Sequence, residues 1–344
     1  MRSLRAASWA SVRPARVAGV IALGLVLCCG ESRDPLGAPG ARIEVRLEGV
    51  PPLGADEGRY AVWLLDGDGV PHHAGDLALG ADGRAEVLSP IAGVRAIEIT
   101  IEPPDDSQPG PSLQRLLRGR FRGRVARLEI VDAVTAGGQR LQERPGQFTM
   151  FTPSDNFENG YPSHEESGIW LFNARPRETP QNDHWVRLTP LREGWVYEGW
   201  MVRDYGHPGE IWLSYGKFLP DRFGAVSSRD DTGWGPFSGA IDFRTAGLEE
   251  YPGDDWISNP LGLPFPSELS LPLNLREKTP TGEDRWAHVI TIEPATDRGE
   301  PIGSERPFFI RPYRDPFGQD GPGMPRTITF HPDGVPRGTA RVLP

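Results

Sequence analysis

An all-β fold is predicted by three observations. The apolar residues fall in short runs that alternate with polar residues or favour β-branched and aromatic side chains, the pattern of strands. Between the runs stand turn formers, 42 Gly and 36 Pro among 344 residues, a usage that suits many short strands. No stretch keeps a helical period except Pro111 to Leu117, where a short helix is expected.

The elements follow in order. Arg2, Arg5, Arg13 and Arg16 precede an uncharged apolar run from Val17 to Leu27, the layout of a signal peptide. The run is too short to span a bilayer, which takes roughly 20 apolar residues. It ends in Leu25-Val26-Leu27-Cys28-Cys29-Gly30, which resembles a lipobox, where bacterial lipoprotein precursors are acylated on a cysteine and cleaved just before it. The small residue usual before that cysteine favours Cys29, with Cys28 as the alternative. The resemblance implies removal of residues 1–28 and a lipid-anchored body outside the cytoplasm, on the periplasmic face or the cell surface. The rival readings are an ordinary secretory signal and an uncleaved anchor. Pro35, Gly37, Pro39 and Gly40 make residues 29–41 a flexible tether. Cys28 and Cys29 are the only cysteines in the chain, so the body has no disulfide and no thiolate metal site.

Strands are expected at Ile43 to Leu47 and at Val125 to Ile130, which alternate apolar and charged residues and so bury one face each. Asp66-Gly67-Asp68-Gly69 and Ala81-Asp82-Gly83 are tight-turn signals, because Gly accepts positive φ and Asp bonds its own backbone. Gln147 to Phe151 and Gly168 to Phe172 add two short strands. Ile328-Thr329-Phe330 has strand character, but the surrounding Gly and Pro suggest a loose tail over residues 315–344.

An internal recurrence organises the middle of the chain. Tyr60-Ala61-Val62-Trp63 followed by Ile99-Thr100-Ile101-Glu102-Pro103 returns as Tyr197-Glu198-Gly199-Trp200 followed by Ile290-Thr291-Ile292-Glu293-Pro294. Each copy then leads through a proline-bearing loop to an apolar segment, Leu116 to Phe121 and Phe308 to Tyr313. Two copies of one domain are therefore expected, as tandem β-sandwich (immunoglobulin-like) domains at 42–135 and 146–314. Tyr60 lies 39 positions before Ile99 and Tyr197 lies 93 before Ile290, so the second copy carries a 54-residue insertion, at about 221–275. Long loops on rigid scaffolds are common binding sites.

Tyr-x-x-Trp with a later Ile-Thr-Ile-Glu-Pro strand resembles the extracytoplasmic C-terminal domain of anti-sigma-K factors. Thr152-Pro153-Ser154-Asp155, Ser167-Gly168-Ile169-Trp170 and Gly194 to Met201 are the stretches that carry the resemblance best. It implies a β-sandwich on the far side of a membrane and carries over neither a catalytic residue nor sigma-factor binding.

The net charge of −10 argues against nucleic acid or an anionic membrane as partner, since both want clustered Lys and Arg. Eight of the ten Trp fall between Trp170 and Trp286. Within the insertion, Trp234 and Trp256 stand near Asp230, Asp231, Asp254 and Asp255, a composition suited to stacking on sugar rings and accepting their hydroxyl bonds. Trp63 and Trp200, at equivalent strand positions, read as core. The acidic pairs match no defined calcium loop, and no cofactor or metal is expected.

Enzyme motifs are missing. His72-His73, His164-Glu165-Glu166 and His207 do not form the His-Glu-x-x-His pattern, and neither a Gly-x-Ser-x-Gly elbow nor a Walker loop occurs. Glu102 and Glu293 recur at strand ends, where the plainer reading is a structural stop rather than an acid and base pair. The sequence thus points to a membrane-tethered, non-catalytic binding or interaction module, its partner an envelope protein or polysaccharide. The rivals are a purely structural envelope protein, a hydrolase of envelope glycans, and a sensor component of an anti-sigma-type signalling system.

Overall fold

The computed structural model describes residues 38–54, 57–106, 108–152, 164–171, 186–220, 252–259, 262–295, 306–318 and 321–344, all within one compact unit. The apolar run and both cysteines lie outside the described residues, as do Asp230, Asp231 and Trp234.

The fold is all-β. Its strands are β1 (Arg42–Glu48), β2 (Arg59–Leu65), β3 (Pro71–Asp76), β4 (Arg84–Leu88), β5 (Ala96–Glu102), β6 (Arg115–Arg122), β7 (Val125–Leu128) and β8 (Gly146–Met150). They continue with β9 (Gly168–Trp170), β10 (Trp195–Arg203), β11 (Ile211–Phe218), β12 (Gly253–Asp255), β13 (Trp286–Pro294), β14 (Ile310–Pro316), β15 (Pro325–Ile328) and β16 (Arg337–Val342). They form three antiparallel sheets, ordered β3-β2-β5-β6-β7-β16-β1-β4, β11-β10-β13-β14 and β12-β9-β8-β15.

The helix expected over Pro111 to Leu117 is a loop and the start of β6. Leu116 and Leu117 are both fully buried because the β5–β6 register shifts there: Ile99 faces Leu117 while Thr100 faces Arg115. An extra residue in one strand places two neighbouring side chains inward, which mimics helical spacing in the sequence.

The recurring motifs occupy matching places in two meanders, β3-β2-β5-β6 and β11-β10-β13-β14. Tyr60 faces Ile101 as Tyr197 faces Ile292, and the register breaks just before Trp63 as it does just before Trp200. One hydrogen-bond chain accounts for the shared residues. Trp63 Nε1 donates to Thr100 Oγ1 at 3.0 Å, and Trp200 Nε1 to Thr291 Oγ1 at 2.9 Å. Each threonine hydroxyl donates in turn to Glu102 or Glu293, and each carboxylate accepts from the loop returning to the next strand, at Ser112 N or Phe308 N. Tyr60 and Tyr197 each donate a phenol hydrogen bond at 2.8 Å to a carbonyl upstream, of Pro51 and Thr189. Glu102 and Glu293 are thus buried clamps on loops. Thr291→Val, which leaves the Trp200 indole without its acceptor and removes a donor to Glu293, is expected to cost about 2 kcal/mol or more, read from urea unfolding midpoints.

The two meanders share one buried cluster that runs from Ile43 to Val342. Arg192 N donates to Val134 O at 2.8 Å, Thr135 bridges to Leu191, and Gln114 Nε2 reaches Gly194 O at 3.5 Å. The tail expected at 315–344 is corrected outright. β15 pairs with β8, and β16 inserts between β7 and β1, so the first sheet is closed by the last residues of the chain.

Candidate functional site

The described part of the insertion is structural. β12 pairs with β9, Trp256 N donates to Ser167 O at 2.9 Å, and Leu273 N donates to Trp256 O at 2.9 Å. Gly253 packs so closely on Trp170 that an added Cβ would sit 2.4 Å from its Cδ2. Trp256 is fully buried, Asp255 is too, and Asp254 is nearly so. The expectation that Trp256, Asp254 and Asp255 face a ligand is therefore corrected: strand pairing draws them into the interior, where the indole supplies core area. Asp230, Asp231 and Trp234 fall outside the described residues, and of the other three none lies at the surface.

The site the structure does form lies at one end of the second meander. Four stretches converge there: the turn after β10, the hairpin before β13, the end of β14, and the residues after β15. They enclose a cavity of about 510 Å³ lined by Asp204, Tyr205, His207, Arg285, Asp315 and His331, among others. This volume is in the range of small-ligand sites.

Each wall is fixed by local chemistry. Asp204 takes a left-handed turn conformation, φ 56°, and its N–H donates to Arg285 O at 2.7 Å. The Arg285 guanidinium grips both oxygens of Asp204 and also donates to Glu277 Oε1 at 2.9 Å, which Arg203 reaches at 3.0 Å. The hydrogen bond from Arg285 holds the Asp204 carboxyl below its ordinary range. Across the cavity, Arg314 Nη2 pairs with Asp333 Oδ2 at 2.5 Å. Asp315, half-buried, accepts from Thr329 N at 2.9 Å, and burial pushes its carboxyl above the usual range. Trp286 lies beneath, nearly fully buried, its indole N–H without an acceptor among the described residues.

The arginines are engaged by carboxylates, while Asp315 keeps an exposed part that is not neutralised by an ion pair among the described residues. Such a cavity suits a polar ligand that donates hydrogen bonds. Among the described residues no three His, Cys, Asp or Glu side chains converge as a metal site would require.

Sequence reasoning missed these residues because they come from four separate stretches. A faint signal was present: Arg-Asp closes both strands, as Arg203-Asp204 after the second Tyr-x-x-Trp and as Arg314-Asp315 after Phe308 to Tyr313.

A model of the family described as anti-sigma-K factor rskA, C-terminal, matches residues 37–114. Residues 37–114 are similar to the C-terminal region of anti-sigma-K factors. The match runs through β1 to β5 and stops one residue short of β6, so it holds Tyr60 to Trp63 and Ile99 to Pro103. The match does not extend to residues 152–155, 167–170 and 194–201. No curated protein and no solved structure matches the chain.

Proposed function

We propose that the chain is a non-catalytic extracytoplasmic binding module, held at a membrane by lipid on Cys29, or Cys28 as the alternative, whose cavity beside Asp315 takes an envelope protein or polysaccharide. The observation that carries this reading is the cavity itself. It combines small-ligand volume with a half-buried carboxylate that accepts hydrogen bonds, at strand ends and the turns that join them. The leader composition supports the tether, and the similarity of residues 37–114 supports an extracytoplasmic setting. We further take the two meanders as copies of one unit, on their common strand order and their common Trp-Thr-Glu hydrogen-bond chain.

A hydrolase would draw on the same cavity, where one carboxyl is raised and another lowered, the signature of an acid and base pair. Asp204 argues against it, because both of its oxygens are held by Arg285 and it serves as that cation's counter-ion. The similarity to anti-sigma-K factors supports a different second reading, a sensor component of an anti-sigma-type signalling system.

The test is retention of the full chain on immobilised envelope polysaccharide and on crosslinked envelope protein, with reducing ends monitored for hydrolysis. Asp315→Asn keeps an acceptor for Thr329 N, and His207→Trp blocks the mouth from an exposed position. Either is expected to weaken retention about tenfold, roughly the worth of a charge-assisted hydrogen bond. Retention equal in all three proteins would remove the cavity as the contact site. New reducing ends, lost with Asp315→Asn, would establish the hydrolase instead. Altered sigma-dependent transcription on deletion of the protein, with no retained envelope component, would favour the sensor.

A further inference from the structure

The chain is acidic overall, yet the solvent face of the first sheet carries more arginines than carboxylates: Arg42, Arg46, Arg84, Arg127, Arg337 and Arg341 stand there with Glu44, Glu48, Glu86 and Glu129. β7, β16, β1 and β4 bury one side and leave the other to solvent, with Arg46, Arg84, Arg127 and Thr339 all exposed. Register sets them in one row: Arg84 faces Arg46, Arg46 faces Thr339, and Thr339 faces Arg127. Like charges directly opposite each other weaken a sheet, so the Arg84–Arg46 pairing is not explained by stability. Arg42, Arg84 and Arg337 have carboxylate partners nearby, whereas the Arg46 and Arg127 side chains form no hydrogen bond or ion pair among the described residues, Arg46 acting on Glu48 only through its field. A groove of about 220 Å³ is lined by both, with Thr339, Arg337, Glu48 and Glu129, and Glu48 is taken up by Arg337. Two planar guanidinium forks beside a hydroxyl donor match the oxygens of a phosphate.

Two further observations identify the source of that phosphate. Leu88 and Val125, two of the few large apolar side chains exposed among the described residues, stand on this same face, Leu88 opposite Arg42 and Val125 opposite Arg341. Arginines mixed with exposed aliphatic side chains suit a headgroup layer, where the charge meets phosphate and the aliphatic groups enter the acyl boundary. The chain that precedes β1 carries the apolar run Val17 to Leu27. From Cys29 to Arg42 are thirteen residues, which span at most about 45 Å, so an anchored chain keeps this face within reach of its own bilayer.

We propose that the solvent face of the first sheet, centred on Arg46, Thr339 and Arg127, docks on anionic phospholipid headgroups of the membrane that anchors the chain, and so holds the body face-down. This rests on the tether reading above. Net charge averages over the whole surface, whereas this face carries an excess of arginine.

The experiment is arginine footprinting with phenylglyoxal, read by mass spectrometry, on the full chain bound to vesicles of phosphatidylcholine alone or with phosphatidylglycerol. Modification of Arg46 and Arg127 is expected to fall about fivefold or more on the anionic vesicles and to recover in 0.5 M salt, with Arg276 unchanged as control. Arg46→Glu/Arg127→Glu is expected to restore modification of Arg341 on anionic vesicles. Flotation in the same samples separates the two readings. A chain that floats with both vesicle types but is modified equally on each overturns the docking face and leaves the tether standing. A chain that floats only with anionic vesicles, with Arg46 and Arg127 protected, supports the face and overturns the tether. One that floats with neither overturns both. Protection by soluble glycerophosphate on neutral vesicles, equal to that on anionic ones, would show a phosphate site that is not a membrane face and would also overturn the proposal.

Discussion

Ending the chain after Pro336 is expected to abolish cooperative unfolding of the described body, an effect larger than that of any single substitution considered above. β16 is an interior strand: it pairs with β1 from Ile43 to Glu48 on one side and with β7 from Val125 to Leu128 on the other. Its loss strips both neighbours of their backbone partners and uncovers Ile43, Val45 and Leu128, which are fully buried beside Ala340. Each orphaned buried backbone group costs about 1–3 kcal/mol, and domain stability is only about 5–15 kcal/mol in total, so a few such groups exceed it. Removing only Leu343 and Pro344 deletes one further bond, from Leu343 N to Arg42 O, and should leave the fold intact. Thermal melts by circular dichroism distinguish the two. A protein ending at Pro336 that still melts in one sharp transition would show that the first sheet closes without its last strand.

β16 also shows why part of the fold was hidden. Its inward positions are Gly338, Ala340 and Val342, too small to read as an apolar run. Packing demands that smallness: a Cβ on Gly338 would sit 2.5 Å from the Arg46 carbonyl oxygen and 2.7 Å from Leu47. By contrast β1, β2 and β5 were legible, because strands that bury large side chains on one or both faces announce themselves by alternation or by continuous apolar runs. The recurrence of Tyr-x-x-Trp and Ile-Thr-Ile-Glu was legible for a chemical reason, since the three side chains Trp, Thr and Glu are bonded in series and each depends on the next. The tryptophans were ambiguous because the same residue serves core and ligand face alike. Trp170, Trp195, Trp200, Trp256 and Trp286 all went to the interior. As for the cavity, ion pairs such as Arg285 with Asp204 join residues 81 positions apart and follow no periodicity, so only the strand order brings them together.

Acid is expected to destabilise the protein through His288. This side chain is almost completely buried on β13, its ring 4.3 Å from that of Phe148 and its Nε2 2.9 Å from the Tyr215 hydroxyl. Tyr215 in turn is held by the missing side chain of Gly199, where any Cβ would overlap its ring. Burial lowers the imidazole pKa to about 3 from its ordinary 6.5, because an imidazolium there would lose its water without gaining a carboxylate. The folded state thus holds His288 neutral while the unfolded chain protonates near pH 6.5. Stability from this group is complete above that pH and drains away as pH falls toward 3, by about 1.4 kcal/mol per unit and about 5 kcal/mol in all. Two carboxyls act in the opposite sense: buried Glu98 and half-buried Asp315 are raised by desolvation, so their cost at neutral pH is relieved on acidification. The lowered carboxyls, Glu48, Asp66, Asp204 and Asp333, are at or near the surface, where solvent screens their share. The contribution of His288 is therefore isolated by difference. His288→Gln keeps a partner for the Tyr215 hydroxyl and cannot titrate, so its unfolding free energy in urea should lack one proton's slope between pH 6 and 4. Parallel curves for the two proteins would mean that water or a carboxylate reaches the imidazole, and that the packing of Phe148, Tyr215 and Gly199 does not seal it.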